Sequence, residues 1–101
     1  MPREIPIACT LSDTELRERE ATLLARFKLL VITAEEIDEG YSFRVPGDKE
    51  TLELVVQVLA AERECCPFLK LELITEPNRD SLTLRVTGPD GTKKFIKSLL
   101  V

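Results

Sequence analysis

The chain contains no histidine and no tryptophan. The first absence removes the usual base of a Cys–His nucleophilic pair and the commonest nitrogen ligand of a metal centre. The second, with one Tyr and four Phe, leaves no aromatic platform on which RNA bases would stack. Basic residues are not in excess. There are 14 Lys and Arg against 18 Asp and Glu, a net charge of −4, whereas phosphate binding needs concentrated positive charge. A nucleic-acid partner is therefore not expected.

No apolar run is long enough to span a bilayer. The opening, Met1 to Cys9, lacks the hydrophobic region of a signal peptide. Ala8-Cys9 has the look of a lipoprotein cysteine, but Pro6 and the missing apolar stretch before it speak against that use. A cytoplasmic location without a membrane partner is the expectation. Cysteine is scarce and odd in number, at three, which fits free thiols or metal ligands better than a disulfide framework.

What is present describes a globular chain. The 101 residues, 44% hydrophobic and 32% charged, suit one domain over 1–101 with a core that needs no crosslink. Leu11-Ser12-Asp13-Thr14-Glu15-Leu16 is a helix start, with Ser12 and Glu15 forming a capping box and Leu11 stapling onto Leu16. Leu16, Leu23, Leu24, Phe27 and Leu30 keep helical spacing, so a helix is predicted over about 13–29. Val31 to Ile37, the turn Asp38-Glu39-Gly40 and the alternating Tyr41-Ser42-Phe43-Arg44-Val45 read as a hairpin.

Asp48 can cap a second helix whose apolar face is Leu52, Val55, Val56 and Leu59, widened by Leu54 and Val58. Pro67 disfavours helical backbone at Cys66, so this helix should finish near Glu64 or Cys65. Leu69, Leu71 and Leu73 alternate with Lys70, Glu72 and Ile74 as a strand. Glu76-Pro77-Asn78-Arg79-Asp80 is turn chemistry, and Leu82, Leu84 and Val86 mark the returning strand. Gly88-Pro89 is predicted to open a last helix, buried through Phe95, Ile96, Leu99 and Leu100.

Phe43-Arg44-Val45-Pro46-Gly47 and Leu84-Arg85-Val86-Thr87-Gly88 correspond, and the correspondence extends from Thr51 to Thr92 and from Val58-Leu59 to Leu99-Leu100. The chain thus reads as one helix followed by two ββα pseudo-repeats, about 30–64 and 68–101. The predicted fold is α+β, a two-layer sandwich with a four-stranded, mainly antiparallel sheet and the helices on one face. The polar alternates Ser42, Arg44, Lys70, Glu72, Thr83 and Arg85 fall on the other face, which is either solvated, the favoured reading, or a dimer surface.

The chemistry concentrates in Glu62-Arg63-Glu64-Cys65-Cys66-Pro67-Phe68. On a helical projection Cys66 points inward with Leu59, and Cys65 toward an edge beside Val58. Two readings stand side by side. Both cysteines can be small buried apolar residues, or the break at Pro67 leaves two sulfurs free to share a guest. A bond between them is unattractive, because Cα atoms across one trans peptide are about 3.8 Å apart and disulfides span about 4.4–6.8 Å. Pairing with Cys9 is geometrically open.

Neighbouring thiolates suit a soft ion such as Zn(II), Cu(I), Hg(II) or As(III). Cys65, Cys66, Cys9 and Glu62 would make four ligands. Thiol catalysis is disfavoured, since a helix C-terminus carries partial negative charge that opposes a thiolate. The acidic pairs Glu35-Glu36, Asp38-Glu39 and Glu62/Glu64 read as solvated charge.

Ile7-Ala8-Cys9-Thr10-Leu11, Glu62-Arg63-Glu64-Cys65-Cys66-Pro67-Phe68 and Thr87-Gly88-Pro89 resemble the I-x-C-T-L start, E-R-x-C-C-P-F centre and T-G-P turn of a set of small bacterial proteins. That set is loosely associated with heavy-metal resistance. The Cys-Cys dipeptide is also similar to the vicinal pair used for mercury transfer in mercuric reductases. The resemblance implies soft-metal handling, together with a metal-handling protein partner. The leading expectation is a thiol protein that binds or transfers a soft metal. The alternative is a non-catalytic interaction module that dimerises and uses its cysteines as packing, with a thiol-redox protein third.

Overall fold

Alternation decides the sheet. In β2 (Gly40–Pro46) Tyr41, Phe43 and Val45 are buried, while Ser42 is half-buried and Arg44 exposed. In β4 (Ser81–Thr87) Leu82, Leu84 and Val86 are buried in the same rhythm. Side chains along a strand alternate between the two faces of a sheet, so each strand has one apolar side. The computed structural model describes residues 14–77 and 80–101, less the side chain of Leu16. The expected Ser12 cap with its Leu11 staple, Cys9, and Asn78-Arg79 of the second turn lie outside those residues.

Among the described residues the elements run α1 (Thr14–Leu30), β1 (Thr33–Ile37), β2, α2 (Lys49–Cys65), β3 (Lys70–Thr75), β4 and α3 (Thr92–Leu100). The four strands form one antiparallel sheet in the order β1-β2-β4-β3. This is the α+β arrangement expected, a helix followed by ββα twice. The two central strands come from different hairpins, and Phe43 lies opposite Leu84, with Tyr41 opposite Val86 and Val45 opposite Leu82.

Those six side chains form the inner face and join one core cluster with Leu23, Leu24 and Phe27 of α1, Leu54, Val55 and Val58 of α2, and Ile96 and Leu100 of α3. Phe27 meets Phe43 edge to face, with ring centroids 5.8 Å apart and planes at 81°, a favoured aromatic geometry. Both rings are fully buried, and each contributes roughly 2–3 kcal/mol of hydrophobic stabilisation.

The outer face carries the cross-strand row Glu35, Ser42, Arg85, Glu72 and, beside it, Thr33, Arg44, Thr83, Ile74. No helix among the described residues is long and apolar enough to cross a membrane.

The orientation of α2 differs from the predicted one. Val56 is half exposed, and Leu52 and Leu59 are only half-buried, whereas Thr51, Leu54, Val55, Val58, Glu62 and Cys65 are buried. Apolar residues surround so much of this helix that spacing alone does not select the inward side. Contact with the sheet and with α1 does.

The last helix also starts later than predicted, at Thr92 instead of Pro89. Asp48 caps α2, accepting hydrogen bonds from the Thr51 N–H at 3.1 Å and the Thr51 hydroxyl at 2.5 Å. The matching position before α3 is Pro89, which offers no side-chain acceptor. The chain instead enters α3 through Gly91 at φ 96°, without a side-chain cap, in a left-handed conformation that glycine adopts freely. Thr92 therefore keeps its buried hydroxyl but finds no hydrogen-bond partner for it. On α3, Ile96 and Leu100 are buried as expected, but Leu99 is exposed and Phe95 half-buried.

The two threonines should respond in opposite ways to loss of their hydroxyls. Asp48→Ala is expected to lower stability by about 1 kcal/mol through loss of the cap, and Thr51→Val by about 1 kcal/mol through loss of its hydroxyl's hydrogen bond to Asp48. Thr92→Val should be neutral or stabilising, because it removes an unsatisfied buried group. Urea unfolding midpoints of the three variants check this, and an equal loss from Thr92→Val would contradict it.

Candidate metal centre

Pro67 has no N–H to continue the helical ladder, and α2 ends where that predicts. Cys65 is the last helical residue and Cys66 the cap, at φ −126° and ψ 73°, with its N–H donating to the Glu62 carbonyl at 2.7 Å. The Cys66 carbonyl then accepts from the Leu69 N–H at 3.1 Å, which turns the chain into β3. This tight exit folds Phe68 under the helix end. Phe68 packs edge to face on Phe95 of α3, with centroids 5.1 Å apart. Cys65, Cys66 and Phe68 form a small buried cluster of their own, with Leu69 and Phe95 around it.

Both cysteines are buried, at 1% and 0% exposure. The inward direction expected of Cys66 holds, but the edge position expected of Cys65 does not. Cys65 follows Val58 by seven residues and Glu62 by three, and so continues the stripe that faces the core.

The ligand atoms of Glu20, Cys65 and Cys66 all lie within 4.8 Å of one another, close enough to hold one ion. Glu62 does not belong to that trio. Its carboxyl instead interacts with the Glu20 carboxyl and the Cys66 thiol. It is 5% exposed, and its Oε1 has no hydrogen-bond partner. A cleft of about 450 Å³ reaches the two cysteines between α1 and α3, lined also by Arg17, Glu20, Phe95 and Leu99.

The expectation of free thiols holds for Cys66 and fails for Cys65. Cys66 is free and Cys65 is disulfide-bonded. The two are not bonded to each other, in keeping with the strain that adjacent Cα atoms would impose. Whatever Cys9 contributes lies outside the described residues.

Glu20 was not among the expected ligands, although a signal for it exists. It stands three residues before Leu23 and seven before Phe27, on the stripe that α1 buries, and it is itself half-buried. Glu62 occupies the matching place on α2, seven residues after Val55 and four after Val58. An acidic residue interrupting an apolar helical stripe is a feature that packing alone does not call for. Here two such residues, one per helix, meet.

Burial above all, then the hydrogen bond and negative charge of Glu20, pushes the Glu62 carboxyl up to about 8 against a smaller lowering by the Cys66 thiol. Burial also pushes the Cys66 thiol well above its ordinary value, helped by the negative charges of Glu62 and Glu20 and by the hydrogen bond to Glu62. A thiol held in its protonated form is a poor nucleophile. It still serves a thiophilic ion strong enough to displace the proton.

Protein-family models, curated proteins and solved structures were each compared with the chain, and none matches.

The raised Glu62 acidity sets a pH dependence. The folded chain holds this proton more tightly than the unfolded one, whose carboxyl titrates near 4.5. Its contribution to stability is therefore complete below about pH 4.5 and is lost as pH rises through 8, a loss on the order of a few kcal/mol. Glu62→Gln should flatten the profile of unfolding free energy across pH 5–8 in the metal-free protein. Parallel profiles for the two proteins would show that Glu62 is not the group responsible.

Proposed function

We infer that the reduced chain binds a soft metal or metalloid ion through the sulfurs of Cys65 and Cys66 and the carboxylate of Glu20, and holds it or passes it to a protein partner. The observation that carries this is the convergence of those three ligand atoms within 4.8 Å. Two thiolates in one site select thiophilic ions such as Zn(II), Cu(I), Hg(II) and As(III) over hard cations. The unpartnered Oε1 of Glu62 supports the same reading, because a buried carboxyl oxygen without a partner is costly in a purely structural role. Within reach of Glu20 and Cys66, Glu62 is placed to orient the ligands.

The binding step is a proton exchange. Thiols coordinate as thiolates, so the incoming ion displaces the protons of Cys65 and Cys66 into solvent. Phe68, Phe95 and Leu69 surround the sulfurs with apolar surface, which excludes water and strengthens the attraction between a cation and two thiolates.

The dimerisation alternative has burial of both cysteines in its favour but draws little from the sheet. The outer face is polar, and its large apolar residues, Ile37 and Ile74, lie on the two opposite edge strands.

Anaerobic titration of the reduced protein with Zn(II), Cu(I), Hg(II) and arsenite, followed by ultraviolet sulfur-to-metal absorption, separates the readings. One equivalent should bind to the native chain and none tightly to Cys65→Ser/Cys66→Ser. Glu20→Gln should weaken binding on the order of tenfold. Weak binding left unchanged by the double substitution, together with a stable dimer, would favour the interaction module.

A further inference from the structure

The geometry points to a redox gate on this centre: Cys65 serves either as a metal ligand or as half of a disulfide, and exchange between the two uses decides whether an ion is held. The inference rests on the metal-binding reading and adds its control. Three observations meet at one atom. Cys65 is disulfide-bonded, its sulfur lies within 4.8 Å of the ligand atoms of Cys66 and Glu20, and the adjacent Cys66 is free.

A metal takes the thiolate, and a sulfur already bonded to sulfur has no thiolate charge to offer. The two states of Cys65 are therefore exclusive. In the oxidised chain the centre is left with one thiol and the Glu20 carboxylate, a set with little preference for soft ions. In the reduced chain it regains two thiols and a carboxylate.

The reductant is a small-molecule dithiol. Its first thiolate attacks the disulfide and forms a mixed disulfide. Its second sulfur then closes a ring and releases the protein thiol. One protein S–S bond breaks and one S–S bond forms in the reagent. Two electrons and two protons pass to the protein, leaving Cys65 and its former partner as thiols. Binding of the ion then releases the protons of Cys65 and Cys66. A small-molecule disulfide runs the exchange in reverse and expels the ion.

Cys66 does not divert this exchange. A bond to its neighbour would have to span adjacent Cα atoms only about 3.8 Å apart across a trans peptide. It thus remains a permanent ligand while Cys65 alternates.

The test uses the full chain in two forms, one reduced with dithiothreitol and desalted anaerobically, the other oxidised with oxidised glutathione and desalted. Free thiols are counted by alkylation and intact mass. Each form is then titrated with Zn(II), Hg(II) and arsenite. The ion bound most tightly by the reduced chain should bind on the order of a hundredfold more weakly to the oxidised chain, with binding restored by dithiol. Cys9→Ser, which leaves the chain no third cysteine, should lose the response to oxidant.

Equal affinity in both forms, or equal thiol counts after the two treatments, would overturn the gate and leave the metal reading standing. Absence of binding in both forms would overturn both. Circular dichroism on each variant shows whether it has folded, and the comparison of the two native forms decides the matter without any substitution.

Discussion

Pro67 cannot donate the hydrogen bond that a helix would ask of it, and its ring drives Cys66 out of helical backbone. The chain leaves α2 there and reaches β3 in four residues. Because the exit is so short, Phe68 must be buried beneath the helix end and both cysteines face the interior. A longer connection would let the sulfurs drift toward solvent. The same break fixes where β3 begins, and hence which residues of that edge strand lie against β4. Site and sheet share one constraint.

Around that break the chain accepts a local cost. Glu20 and Glu62 stand where leucine would pack better, and the burial of Glu62 is resolved by holding its proton and not by a cationic partner. Arg17 lies on the same cleft, yet the causes of the Glu62 shift include no cation. Two acids and two sulfurs are thereby gathered beside Phe68, Leu69 and Phe95. Such a gathering is poorly explained by stability alone.

Much of this was legible in the residues. The strands announce themselves because Tyr41-Phe43-Val45 and Leu82-Leu84-Val86 alternate without interruption, and a half-buried sheet demands that pattern. Asp48 and Pro67 bracket α2 through local chemistry that tertiary contacts do not change.

What stayed hidden depends on the neighbours. Leu52, Val56 and Leu59 are as apolar as Leu54 and Val58, and only the packing of α2 against α1 and the sheet core decides which set is covered. Pro89 suits a first helical turn, but the chain enters α3 through Gly91, a choice that local sequence does not dictate. Of the centre, Cys65 and Cys66 were found from their pairing beside Pro67. Glu20 was passed over because it lies 45 positions before Cys65 among charged neighbours, where its place on the buried stripe is easily overlooked.

The order β1-β2-β4-β3 places the pairing of greatest sequence separation at the middle of the sheet. Each hairpin can zip from its own turn, but neither alone covers its apolar side. Loop closure between the halves must be met before Phe43 and Leu84 come opposite each other. Until the two hairpins dock, β2 and β4 are both exposed edges. The charged β1, with Glu35 and Glu36, guards one finished margin of the sheet. The nascent chain has no such guard at its centre, and its vulnerability to misassociation is concentrated in that interval.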